Sequence, residues 1–106
     1  MIIYNVTANI DKSINNEWLE WIKEHIPQVL ATGKFKEAKL TKVLVADDET
    51  DTYSIQYRAH SREALDAYYA EDAEAIRKDG SQRFAEKMLA FRTELEVIDE
   101  YSVNFK

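Results

Sequence analysis

The two histidines hold most of the proton-transfer potential of this 106-residue chain. His25 falls on an apolar helical stripe beside Pro27 and one turn after Trp21, where an imidazole can carry a proton near neutral pH. Its plainer role is to donate to a backbone carbonyl that the proline leaves free. His60, immediately before Ser61, reads as a loop histidine. The two lack HxH or HxxxH spacing, so no metal site is expected. Trp18, Trp21, Tyr57, Tyr68 and Tyr69 form an aromatic set that would either fill a core or line a pocket for a flat, apolar ligand. In the second case Asn5, Trp21, Tyr57 and Tyr68 are the residues expected to touch the ligand, and His25 is the one expected to exchange its proton.

Several chemistries are excluded outright. The chain has no cysteine, which removes disulfides, thiolate nucleophiles and thiolate metal centres. Gly33 and Gly80 are its only glycines, too few and too far apart for a phosphate-cradling loop, and no serine has a nucleophile-elbow setting. Twenty acidic residues against fourteen basic ones give a formal charge of −6, which argues against a nucleic-acid partner. A 45% hydrophobic content supports a folded core. No apolar run reaches membrane-spanning length, and the opening Met1-Ile2-Ile3-Tyr4-Asn5 lacks a basic leader region. The expectation is one soluble, cytoplasmic domain over residues 1–106, with no membrane partner and no cofactor.

The elements that must position these residues follow from periodicity. Residues 2–10 alternate, with Ile2, Tyr4, Val6, Ala8 and Ile10 on one side of a strand. Asp11 and Ser13 supply capping oxygens for a helix whose stripe includes Ile14, Trp18, Trp21, Ile22, Ile26 and Val29; Pro27 should kink or restart it. Gly33 suits the left-handed position that ends the segment. A second strand runs from Phe35 to Ala46 and is apolar on both faces, with Ala38, Leu40 and Leu44 opposite in parity to Val43 and Val45. The acidic turn 47–51 makes a hairpin with a strand containing Tyr53, Ile55, Tyr57 and Ala59.

Ser61 is expected to cap a second helix carrying Leu65, Tyr68, Tyr69, Asp72 and Ile76, broken at Asp79-Gly80. Ser81 would cap a short third helix with Phe84, Met88, Leu89 and Phe91 facing inward. Residues 94–105 form the last strand, with Leu95, Val97, Tyr101, Val103 and Phe105 on one side and an interruption at Asp99.

The order β-α-β-β-α-β defines an α+β, ferredoxin-like domain: a four-stranded antiparallel sheet with its helices on one face. Val43 and Val45, joined by Ile3 and Ile98, would make the opposite face partly apolar, and a second copy of the sheet packed across a two-fold axis would cover it. Val43, Val45, Arg58 and Ile98 are therefore the expected dimer contacts, with Arg58 paired to Glu96 among the polar groups Asn5, Thr7, Ser54 and Gln56.

The run His25-Ile26-Pro27-Gln28-Val29-Leu30-Ala31-Thr32-Gly33-Lys34-Phe35, after a strand opening MIIYNVTANID and a helix reading EWLEWIKEHI, resembles a family of short bacterial proteins of unassigned function. Phe91-Arg92-Thr93-Glu94-Leu95-Glu96-Val97 resembles the same family, so the likeness spans nearly the whole chain. More distantly, a His-x-Pro followed by a glycine turn after a βα unit is similar to the dimeric α/β-barrel superfamily. That superfamily includes antibiotic-biosynthesis and haem-degrading monooxygenases. The resemblance implies a ferredoxin-like monomer that pairs into a barrel.

Its haem-degrading members use an Asn of the first strand with a Trp and a haem-ligating His of the second helix. Asn5 matches the first, but Tyr68 or Tyr69 stands where the Trp is expected and Arg77-Lys78 where the His is expected. Three functions are left to weigh. The leading one is a homodimer acting by small-molecule binding or assembly, its ligand small and apolar or aromatic. Next is a cofactor-independent monooxygenase or isomerase acting on an aromatic or quinone-like substrate, and last an accessory module for another protein.

Overall fold

Alternation builds the sheet, and capping decides where the helices start. The computed structural model describes residues 1–103. The elements follow in the order β1 (Ile2–Asp11), α1 (Asn15–Leu30), β2 (Phe35–Val43), β3 (Thr50–Ala59), α2 (Arg62–Glu71), α3 (Ala73–Phe84) and β4 (Met88–Glu96), with 3-10 turns at Lys12–Ile14 and Ala85–Lys87. The Asp11 carboxylate accepts the Ser13 N–H at 2.9 Å, and these hydrogen bonds hold its pKa below 3.8. Ser61 Oγ accepts the Ala64 N–H at 3.0 Å at the start of α2. Gly33, with φ +79°, turns the chain out of α1, as its position suggests.

The strands pair antiparallel in the spatial order β2-β3-β1-β4, which is the ferredoxin-like arrangement. Residues in register share a face. Tyr4 opposite Tyr57, Val6 opposite Ile55 and Ala8 opposite Tyr53 define the helix-covered side, which Ala38 and Leu40 extend onto β2 and Met88, Ala90 and Arg92 onto β4. Trp18, Trp21, Ile22 and Val29 of α1, Leu65 and Tyr68 of α2, and Ala73 and Phe84 of α3 complete the core. Its aromatic content is high. Trp18 stacks on Tyr53 at 4.9 Å, and Tyr4 is ringed by Phe35, Tyr57 and Tyr68 at 5.7 to 6.0 Å.

The helices depart from expectation in two places. Pro27 does not restart α1, which runs on unbroken through it: it falls in the last turn, where its missing donor costs one hydrogen bond, and the Ala31 N–H still reaches the Pro27 carbonyl at 2.9 Å. The break between α2 and α3 falls at Asp72, whose φ of −121° leaves the helical region, and not at Asp79-Gly80. Gly80 lies inside α3 because the helix there presses on Trp21: a Cβ added to it would sit 2.7 Å from the indole Cη2. Ser81 is therefore an interior helical residue and caps nothing.

The strands are also corrected. Met88, Leu89 and Phe91 belong to β4, which ends at Glu96 and does not run over 94–105. The last pair of the ladder is Glu96 opposite Ile2, and one further bond joins the Val97 N–H to the Met1 carbonyl. Tyr101 and Val103 lie exposed beyond the ladder, and Phe105 lies outside the described residues. Likewise β2 ends at Val43 opposite Thr52, and Leu44 and Val45 leave the sheet exposed.

The uncovered face is consequently different from the one expected. Its centre is polar: Ser54 Oγ donates to Asn5 Oδ1 at 2.7 Å, Asn5 Nδ2 donates to Thr7 and Thr93, and Asn9 Nδ2 donates to Thr50 and Thr52. The apolar surface runs along β4, where Leu89, Phe91 and Leu95 are 59%, 56% and 42% exposed, with Ile3 opposite Leu95. Val43 sits at the end of this face, and Val45 and Ile98 are exposed beyond the ends of β2 and β4. Arg58 pairs with Glu37 at 3.2 Å and with Glu100 at 3.6 Å, not with Glu96, which shares the helix-side parity of Ile2.

Candidate functional site

One cavity between helices and sheet gathers several chemically capable side chains. Trp21 and His25 are one turn apart on α1, so their rings share a face and stack with centroids 4.4 Å apart. Trp21 Nε1 donates to Asp79 Oδ2 of α3 at 2.6 Å, which fixes the indole. From below, β1 contributes Tyr4, β3 contributes Tyr57 and β4 contributes Arg92; α2 adds Tyr68 and α3 adds Arg77, Gly80 and Ser81. Its volume is about 50 Å³. That is room for a few waters or the polar end of a ligand, and less than the ~150 Å³ that admits a benzene ring.

The electrostatics favour neutral rings and a cationic wall. Burial lowers the His25 pKa below 6.5; Asp79 opposes that shift and Arg92 reinforces it, so the imidazole is neutral at physiological pH. Burial raises the Tyr57 hydroxyl, with Tyr68 and Tyr4 adding to the effect, and pushes Tyr68 up to about 12. Both phenols therefore stay protonated and can donate. Arg77 Nη2 donates to the Tyr4 hydroxyl at 2.7 Å, while its Nε is buried with no hydrogen-bond partner among the described residues.

Of the residues expected to form a site, His25, Trp21, Tyr57 and Tyr68 meet at this cavity, and Asn5 does not. Asn5 points to the other side of the sheet, into the network with Ser54, Thr7 and Thr93, because its parity is opposite to that of Tyr4. His60 is exposed at the end of β3, where its backbone N–H bonds the Lys34 carbonyl at 3.1 Å. Among the described residues no three His, Asp or Glu side chains are grouped to hold a metal ion. Arg77 and Arg92 are the site residues that the sequence reading missed. Ala73, Ile76, Arg77, Gly80 and Phe84 recur at helical spacing, and an arginine inside such a stripe was the available signal.

Residues 1–98 match the family described as a domain of unknown function, DUF4286. No curated protein matches the chain. Solved structures give the fold. The chain is similar to a dimeric ferredoxin-like protein from an uncultured marine organism, with TM-score 0.72 and 13% identity over 94% of this chain and 97% of that one. It is also similar to the haem degrader MhuD from Mycobacterium tuberculosis, solved with two haems in its active site, with TM-score 0.69 and 16% identity over 96% of this chain and 100% of that one. A candidate antibiotic-biosynthesis monooxygenase from Deinococcus radiodurans aligns with TM-score 0.69 and 11% identity over 99% of this chain and 100% of that one.

The residues present do not fit a haem. Helices α2 and α3 carry no histidine, the cavity's one imidazole is stacked on an indole, and a porphyrin far exceeds about 50 Å³. Among the described residues no helix is long and apolar enough to cross a membrane.

Proposed function

The chain belongs to the DUF4286 family, and from that premise we propose that it is a homodimeric α/β-barrel protein that binds the polar end of a small aromatic or apolar molecule in the cavity beneath α1 and α3. One observation carries this reading: His25, Arg77, Tyr57 and Tyr68 converge on a space otherwise walled by aromatic and aliphatic side chains. Pairing is supported by the apolar stripe of Leu89, Phe91 and Leu95, which is long enough to need cover. A ferredoxin-like neighbour described as dimeric points the same way.

Calorimetric titration with phenol, hydroquinone, benzoate and benzamide tests the binding. At least one should bind with a micromolar to millimolar Kd, and Trp21→Ala should abolish it. Absence of heat from all of them would remove the binding assignment. Light scattering tests the pairing: the expected mass is that of two chains, and a monomer at micromolar concentration contradicts it.

A second reading, a cofactor-independent monooxygenase or isomerase acting on an aromatic or quinone-like substrate, draws on the neutral state of His25. A neutral imidazole beside Arg92 accepts a phenolic proton, and the guanidinium steadies the resulting anion. Oxygen consumption with hydroquinone supplies the check, and no uptake above the buffer rate defeats the oxygenase form.

A further inference from the structure

The cavity has a charged threshold. Between α3 and β4 a broad depression of about 820 Å³ is lined by Tyr69, Glu74, Arg77, Lys78, Ser81 and Arg92, among others, and it shares Arg77, Ser81 and Arg92 with the inner space. Three cations meet one carboxylate there, in a chain where twenty acidic residues outnumber fourteen basic ones. Among the described residues none of Arg77, Lys78 and Arg92 is in an ion pair, whereas Lys34, Arg58 and Arg62 each hold two carboxylates.

Arg77 faces both spaces. One of its terminal nitrogens is occupied by Tyr4, and its buried Nε–H meets no acceptor among the described residues, an unfavourable state that a ligand oxygen would relieve. The inner space is too small for a ring but suits an acid group, and the outer depression has room for the rest of a molecule.

We propose that the ligand is an organic carboxylate whose acid group enters between Arg77 and Arg92 while its apolar body rests in the outer depression beside Tyr69. The guanidinium fork matches a carboxylate, and the Nε–H gains its missing acceptor. This rests on the binding role proposed above and names the class of ligand for it.

The test pairs each acid with its uncharged isostere: benzoate with benzamide, and phenylacetate with phenylacetamide. Calorimetry on the full chain is run beside the ¹⁵N signal of Arg77 Nε. The carboxylates should bind at least about tenfold tighter than the amides. They should also shift the Nε–H signal, and the preference should shrink to within about threefold in Arg77→Gln. Should that variant not fold, Arg92→Gln, changed at an exposed position on β4, carries the same comparison. Equal affinity for acid and amide overturns the proposal while leaving the binding role standing. Binding of neither overturns the proposal, and overturns the binding role as well when phenol and hydroquinone also give no heat.

Discussion

The two faces of one sheet are made from alternate residues of the same strands, yet they solve opposite problems. On the helix side, Tyr4, Tyr53, Ile55 and Tyr57 are buried almost completely, and the polar groups that remain gather around one small cavity. On the other side Asn5 bonds Ser54 and Thr93, Asn9 bonds Thr50 and Thr52, and the apolar residues are pushed to β4. The helix side gains most of the molecule's stability from aromatic packing. The open side buries little apolar surface in the single chain, and its β4 stripe is the surface proposed to meet a second copy. Substitutions on the two sides should therefore differ in kind: one set changes unfolding, the other association.

The largest effect is expected at Trp18. Trp18→Ala removes the stack on Tyr53 and the indole N–H contact to Met88 Sδ at 3.2 Å, and should cost about 3–5 kcal/mol in urea unfolding. A loss under about 1 kcal/mol would mean that the aromatic core is not the main support. On the opposite face, Leu89→Asp combined with Phe91→Asp should weaken self-association by at least about a hundredfold, or roughly 2.7 kcal/mol, while leaving the monomer's unfolding nearly unchanged. Sedimentation velocity measures the first quantity and urea titration the second; unchanged sedimentation would erase the division of labour between the faces.

A third substitution returns to the helix side. Gly80→Ala drives a methyl into the Trp21 ring and should destabilise by about 1–3 kcal/mol despite alanine's higher helix propensity. A stabilised variant would show that α3 can move off the indole. The smallest effect is a slope. Because the folded pKa of His25 lies below 6.5, the unfolded chain binds the extra proton as pH falls past that value, and stability drops there. Replacing the imidazole in His25→Gln should flatten the stability profile between about pH 7 and 5 relative to the parent chain, by an amount within about 1 kcal/mol. An unchanged slope would place the acid sensitivity elsewhere.

The element order and the helix-facing parity were legible in the sequence because alternation is local. Tyr4, Val6 and Ala8 pattern β1 without help from any partner, and Ser61 caps α2 in its own first turn. What could not be read depended on where partners begin and end. The alternation of Tyr101 and Val103 continues past Glu96, but the ladder with β1 ends at the pair of Glu96 with Ile2. Gly80 looks like a helix breaker until the indole of Trp21 is placed against it. The site was legible on α1, where Trp21 and His25 are one turn apart. It was hidden at Arg77 and Arg92, since their meeting requires both the true start of β4 and the break of the helix at Asp72.

Stacking of Trp21 against His25 has an optical corollary. A protonated imidazole in contact with an indole quenches its emission far more than a neutral one does, whereas Trp18, stacked on Tyr53, supplies a steady background. The chain thus carries its own light-emitting gauge of cavity protonation, dimming as acid reaches the ring.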